Sequence, residues 1–257
     1  INFTKINTPH TPFPFGITGI KINYLICNNC NFIFTSDMDD KDDMFFKDEI
    51  YNKDYYEYVD PDYKSKRSDQ ITPFLLSFSR FLSSSLFLNL NSEFTILDYG
   101  SGNNKLVKNF KNHGIEIDNF DPYDNCESNN QSSEKKYDLI FAIEVFEHEI
   151  RPKFLIDNLN NLIKDNGIIL FSTKLSKQKN INWNYIAPRN GHVSIYSSKS
   201  LNFLASQNGL NYYKLAFMHI FSKQKLSYIN IFKLTLLEVS HRLSRELLKF
   251  YYRFKNV

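Results

Sequence analysis

The stretch Ile96-Leu-Asp-Tyr-Gly-Ser-Gly-Asn-Asn-Lys105 decides the fold, because an apolar strand runs in it straight into a glycine turn. Ile96 and Leu97 suit a buried strand, and Asp98 stands at its carboxyl end. Gly100 and Gly102 let the backbone turn sharply and leave room for a ligand against it. Leu106, Val107 and Phe110 follow at helical spacing, so the unit is strand, turn, helix. A helix amino-terminus above a parallel strand gathers anionic or strongly polar ligands, because its unpaired amides and its dipole both point there.

Elements on either side repeat the alternation. Downstream, Ile115–Phe120 predicts a second strand with Asp121-Pro122 at its end, where a parallel strand presents an acid to a ribose. Tyr137–Ile143 predicts a buried strand, and Arg151-Pro152 opens a helix with Phe154, Leu155, Leu159, Leu162 and Ile163 on its apolar face and Gly167 as its stop. Ile168–Phe171 is the next strand, Ser198–Gly209 a capped helix and Leu210–Phe221 a further strand. Upstream, Ile71–Leu90 predicts a largely buried helix feeding the first strand. The expected fold is α/β, a Rossmann-like doubly wound parallel sheet with helices on both faces. One strand-helix unit is reduced to the short polar segment between Asp121 and Tyr137. The expected organisation is a cysteine-knuckle-like segment (1–40), a charged, Tyr-rich connector and helix (41–90), the α/β domain (91–225) and a basic amphipathic C-terminal helix (226–257).

The 257 residues, 42% hydrophobic and 16% aromatic, suffice for one domain core plus attachments. A formal charge of +3, with basic and acidic residues interleaved, argues against nucleic acid as the default partner. Three cysteines make no disulfide framework, which points to a reducing compartment and the cytoplasm. No apolar run approaches the roughly 20 residues of a membrane helix. The chain opens on Ile1 rather than Met, which leaves room for an upstream segment. Cys27 and Cys30 form half of a zinc knuckle, with His10 the upstream candidate; the alternative is a hairpin in which both are small apolar residues. Tyr51, Tyr55, Tyr56, Tyr58 and Tyr63 suit either a lid over a small-molecule pocket or a packed surface helix. In the tail, Lys233, His241, Arg242, Arg245 and Lys249 interrupt apolar positions at helical spacing, a pattern for packing on the domain or for touching a membrane or partner.

The glycine turn departs from Gly-x-Gly-x-x-Gly, since Lys105 holds the third position, which weakens a nicotinamide reading. Asp98 would repel a phosphate chain and suits a cationic ligand end, an amine or sulfonium. Asp98-x-Gly100-x-Gly102, Asp121, and Glu144-Val-Phe-Glu147-His148 together resemble a class I S-adenosylmethionine-dependent methyltransferase. Trp183-Asn-Tyr185 and Gly191-His192-Val-Ser-Ile-Tyr196 are similar to bacterial methyltransferases of surface-polysaccharide gene clusters, some with an amino-terminal cysteine knuckle. The resemblance implies Asp98, Tyr99, Gly100 and Gly102 around the methionine part of the cofactor, Asp121 and Pro122 at the ribose, and Ile143 and Glu144 on the methyl-transfer face. Asn103 departs from a third glycine, and Cys126–Lys136 carries no evident acid for the adenine.

A sulfonium methyl is already electrophilic, so in-line positioning supplies much of the rate, with a general base where the acceptor is a hydroxyl. His192 is the first candidate base and His148 the second, with a structural role for either as the alternative. On a helix, Glu144, Glu147 and His148 would share one face at i, i+3 and i+4, and with His192 would form a set for Mg²⁺, Mn²⁺ or Fe²⁺. The alternative is a hydrogen-bonded loop with Glu147 in solvent. The expected acceptor is a small molecule or glycan precursor, methylated on an oxygen before a nitrogen of a sugar or sugar-linked phosphate or phosphoramidate. Two other readings stay open, a nicotinamide-dependent oxidoreductase or epimerase and a non-catalytic module that binds a partner. The sequence carries no signature of oligomeric state.

Overall fold

Two sheets share the chain. The computed structural model describes residues 2–6, 21–61, 66–85, 94–122, 135–176 and 183–255. Strand β1 (Asn2–Ile6) pairs antiparallel with β2 (Lys21–Ile26), with Asn2 opposite Leu25. Period-two alternation in β2 turns Ile22, Tyr24 and Ile26 inward. The Cys27–Cys30 turn leads back into β3 (Ile33–Phe34), which pairs antiparallel with β2. A short helix α1 (Asp43–Phe45), capped by the Asp42 carboxylate, continues into π-helical turns at Phe46–Ile50 and Tyr55–Val59. Helix α2 (Arg67–Ser85) then buries Leu75, Phe78 and Leu82. It starts four residues ahead of the expected Ile71, and Leu86–Leu90 lie outside the described residues.

The larger sheet begins with β4 (Ile96–Tyr99), followed by α3 (Lys105–Lys111), β5 (Asp118–Phe120), β6 (Tyr137–Ile143), α4 (Pro152–Leu162) and β7 (Ile163–Ser172). After β8 (Ser194–Ile195) and α5 (Ser198–Gln207) come β9 (Asn211–Lys214), β10 (His219–Ser222) and the long α6 (Tyr228–Lys255). Strand order is β5-β4-β6-β7-β10-β9, parallel from β5 to β7, with β10 antiparallel to both neighbours. Leu139–Ala142 of β6 are fully buried, as a central strand covered on both faces requires. One core (Leu155, Leu159, Phe171, Leu201) lies under α4 and α5, and the other (Phe78, Phe110, Leu170, Leu234) under α2, α3 and α6. The doubly wound α/β expectation is met. The chain leaves β4 for β5 on one side and returns to β6 on the other, so a crevice opens above β4 and β6.

Three expectations need correction. The segment Leu210–Phe221 is an antiparallel hairpin, because Leu215 donates its amide to Met218 (2.9 Å) and folds β10 back on β9. The strand before Asp121 is confined to Asp118–Phe120. Gly167 is no helix stop. Helix α4 passes directly into extended backbone at Ile163, and Gly167 lies inside β7, next to a bulge in the pairing with β6. A Cβ at Gly167 would stand 2.7 Å from Ile163 Cγ1 and 2.8 Å from the Tyr137 carbonyl oxygen, so close strand approach demands the glycine. Gly167→Ala is expected to destabilise the fold by about 1–3 kcal/mol. In urea, the midpoint should fall at constant slope.

The small sheet joins the large unit. β3 pairs with β8, placing Ile33 opposite Ile195, so the N-terminal hairpin is bonded to the loop that carries His192.

Candidate active site

The glycine turn forms one side of the crevice. Gly100 adopts φ 78°, and a Cβ there would come within 2.5 Å of Val145 Cγ2, so only glycine fits. The amides of Gly100 and Ser101 donate to the Phe120 carbonyl (2.7 and 3.1 Å), and Gly102 donates to the Asp121 carboxylate (2.7 Å). Asp121 thus braces the turn from the end of β5. Asn104, at φ 57°, accepts from Asn119 (2.9 Å) before α3 begins at Lys105.

Asp98 is buried at the end of β4 and has no hydrogen-bond partner among the described residues. Burial, with the Asp121 carboxylate nearby, pushes its pKa up to about 7. Ile143 is half-buried at the end of β6, and Pro122 is exposed. The Tyr99 side chain turns away from the crevice into the core under α4, with its ring 5.0 Å from Phe120, so only its backbone belongs to the turn. The segment from Cys126 to Glu134, searched for an adenine-contacting acid, lies outside the described residues, as does His10.

On the opposite side the expected helix is absent. Glu144 leaves β6 at φ 57°, a left-handed conformation that costs a non-glycine residue free energy and therefore needs support. Ser172 supplies it. The Glu144 amide donates to Ser172 Oγ (2.9 Å), which donates to Glu144 Oε1 (2.7 Å). Phe146–His148 then form a single 3-10 turn, anchored by Phe146 stacked on Phe171 at 4.1 Å.

This turn still brings Glu147, His148 and His192 together, with one ligand atom of each within 4.8 Å of the others. Among the described residues it is the only such cluster of three or more His, Cys, Asp or Glu. Glu147 does not face solvent; it is fully buried. Its Oε1 accepts a short hydrogen bond from the Tyr185 hydroxyl, while Oε2 has no partner among the described residues. Burial, and secondarily Glu144, raises the Glu147 pKa well above the usual range. His192 Nδ1 lies 2.7 Å from the Tyr185 carbonyl, and His148 Nδ1 lies 3.2 Å from the Gly191 carbonyl and 2.8 Å from the Tyr51 hydroxyl. Because a carbonyl only accepts, the Tyr185 bond places the ring proton of His192 on Nδ1 and its lone pair on Nε2, whereas His148 Nδ1 also faces a hydroxyl that can donate or accept. Burial lowers the His148 pKa to about 4, which keeps that ring neutral at physiological pH.

The N-terminal segment closes over this cluster. Tyr24 donates its hydroxyl to the His192 carbonyl (2.8 Å), and buried Arg189 reaches the Ile50 carbonyl (2.8 Å) and Asn52 Oδ1 (3.3 Å). Arg67 pairs with Asp60 at 2.8 Å beside Tyr55. Ser172, Arg189 and Arg67 were not singled out by the sequence. The usable signal for Ser172 was its position at the carboxyl end of a parallel strand; the other two had none. Cys27 and Cys30 are free thiols, and no third His, Cys, Asp or Glu joins them among the described residues. The amides of Cys30 and Asn29 lower the Cys27 pKa, and burial raises that of Cys30.

Residues 63–215 match the methyltransferase domain family. No curated protein matches the chain. Similar solved structures include the plantazolicin methyltransferase BpumL with a pentazolic desmethylPZN analog and SAH, at 16% identity over 60% of this chain and 70% of that one, TM-score 0.42. Magnesium protoporphyrin IX methyltransferase (ChlM) from Synechocystis PCC 6803 with bound SAH aligns at 14% identity over 60% of this chain and 82% of that one, TM-score 0.40. The mitomycin 7-O-methyltransferase MmcR aligns at 12% identity over 60% of this chain and 52% of that one, TM-score 0.42. The family match covers more than half of the sequence, including the whole glycine turn and the Glu144–His192 cluster, and the chain belongs to the methyltransferase domain family as an S-adenosylmethionine-dependent methyltransferase.

Proposed function

We propose that the chain transfers the methyl group of S-adenosylmethionine to an oxygen, with nitrogen the second choice, of a sugar or a sugar-linked phosphate or phosphoramidate. The observation that carries this reading is Asp98, a buried carboxylate without a hydrogen-bond partner among the described residues, at the mouth of the β4–β6 crevice. A cationic methionine end would stabilise its charge. Gly100, Gly102 and Asp121 complete the cofactor side. The acceptor side carries Tyr51, Arg67, Glu144 and His148, hydrogen-bonding groups that suit a polyhydroxylated molecule. In the reaction the acceptor oxygen bonds to the methyl carbon as the carbon–sulfur bond breaks. S-adenosylhomocysteine leaves, and the hydroxyl proton passes to a base. His192 Nε2 is the preferred base, since burial holds the His148 pKa too low for efficient proton abstraction.

A second reading rests on Glu147 Oε2, without a partner among the described residues, beside the imidazoles of His148 and His192, the latter with its Nδ1 proton held by the Tyr185 carbonyl. That bond orients the His192 Nε2 lone pair in the way second-shell bonds orient metal ligands. Glu147, His148 and His192, with Glu144 adjacent, fit Mn²⁺ or Fe²⁺ better than all-oxygen Mg²⁺. Such an ion would lower the pKa of an acceptor hydroxyl.

Calorimetry with S-adenosylmethionine and S-adenosylhomocysteine tests the cofactor half, and no binding at millimolar cofactor would refute it. The free protein's Asp98 is protonated below about pH 7, whereas the bound cation favours its ionised form. Affinity is therefore expected to rise with pH up to about 7 and flatten above it, with proton uptake by buffer measurable in buffers of different ionisation heat. Labelled cofactor offered to nucleotide sugars, phosphorylated sugars and polysaccharide fragments tests the acceptor.

A further inference from the structure

Helix α6 has two apolar faces, and among the described residues only one is packed against the domain. Leu234 is fully buried against the α2–α3 side of the sheet. Glu238 is buried with its carboxylate accepting the amides of Ala216 (2.9 Å) and Phe217 (3.0 Å). His241 bonds to Ser77 of α2 (3.0 Å). These contacts fix the inward direction. Ile229, Phe232, Leu236, Leu243 and Leu247 point the other way, with 51–68% of each side chain's residue surface open. At 1.5 Å per residue the stripe runs about 27 Å, longer than the scattered exposed apolar residues of an ordinary surface.

Charge says what covers it. The helix holds six Lys or Arg against two Glu. Of the two acids, Glu238 is turned inward, and Glu246 is neutralised by Lys249 at 2.9 Å. Lys233 and Arg242 are exposed on opposite flanks of the stripe, and the Arg242 guanidinium lies 3.6 Å over the ring of half-exposed Phe217. Lys108 and Lys111 are exposed on α3 in the same helical layer. Apolar side chains between long cations that can reach outward match a bilayer surface, in which rings and methyls enter the acyl boundary and ammonium and guanidinium groups meet lipid phosphates. A second copy of the helix is the rival occupant, and it would set two positively charged helices side by side. No helix among the described residues is long and apolar enough to cross a membrane, so the contact is peripheral.

We infer that the outward face of α6 docks the protein on an anionic lipid surface. Cosedimentation with vesicles of phosphatidylcholine alone, and of phosphatidylcholine with about one-third phosphatidylglycerol, tests it. The expected result is at least about tenfold stronger partition onto the anionic vesicles, lost at about 0.5 M salt. Phe232→Ser with Leu247→Ser should abolish partition while leaving circular dichroism and cofactor binding unchanged, because both side chains are exposed. Lys233→Glu with Lys249→Glu should do the same through charge alone. No partition of the unaltered protein overturns the inference, as does partition that survives the Phe232/Leu247 pair. A stable dimer in sedimentation equilibrium that the same pair dissociates would assign the stripe to a second copy instead.

Discussion

Asp98→Asn is expected to weaken S-adenosylmethionine binding by about a hundredfold or more, since it removes the buried carboxylate proposed to meet the cationic end of the cofactor. The same substitution is expected to stabilise the ligand-free protein at pH 8. The sign follows from the pKa. A carboxyl raised from 3.8 to about 7 by burial is more protonated in the folded than in the unfolded chain between those values. Stability is therefore lost as pH rises through that window, by up to about 4 kcal/mol once both states are ionised. Asparagine does not titrate, so the variant's stability should fall less steeply than the parent's over that window, the remaining slope coming from other raised carboxyls such as Glu147. Thermal melts from pH 4 to 8 and calorimetry at pH 8 measure the two effects. Unchanged affinity would show that the cofactor does not lie against Asp98.

His192→Asn is expected to lower turnover by about a hundredfold or more while cofactor affinity stays within about twofold. Asparagine can still donate to the Tyr185 carbonyl, so the loop should persist, while the lone pair of Nε2 is gone. Base and ligand roles separate in one set of measurements. If His192 works as a base, chelation leaves the parent's rate unchanged. If it works as a ligand, chelation reproduces the variant's loss, and bound Mn²⁺ seen by electron paramagnetic resonance in the parent disappears in both His192→Asn and Glu147→Gln. Full turnover in His192→Asn would remove it from the chemistry.

The sheet was legible because its signals are local. Buried strand runs such as Tyr137–Ile143 and the glycine turn after Ile96 fix their own conformations within a few residues. The geometry of the glycine turn was legible for the same reason. The Glu144–His148 side of the crevice was not, and Glu144 shows why. Its residue types suggest a helical face, but tertiary bonds to Ser172 hold it in a left-handed conformation that no window of neighbouring sequence encodes. Gly167 misled in a similar way, since a glycine past a helical pattern signals a cap unless a neighbouring strand needs the space. Glu147 carries a residue type that is almost always solvated, and only the closure of the Tyr185 loop buries it.

The pairing of β3 with β8 gives the two halves of the crevice different folding histories. The glycine turn and Asp121 lie within about 25 residues of one another and need little loop closure. The bond from Tyr24 to the His192 carbonyl closes 168 residues, and the Arg189–Ile50 bond closes 139. Contacts of such high order are expected to form after the glycine turn and to open before it, so hydrogen exchange should be faster in the N-terminal hairpin than in β4. Co-translational assembly runs in the same sense, because the N-terminal hairpin leaves the ribosome long before its partner strand β8 exists.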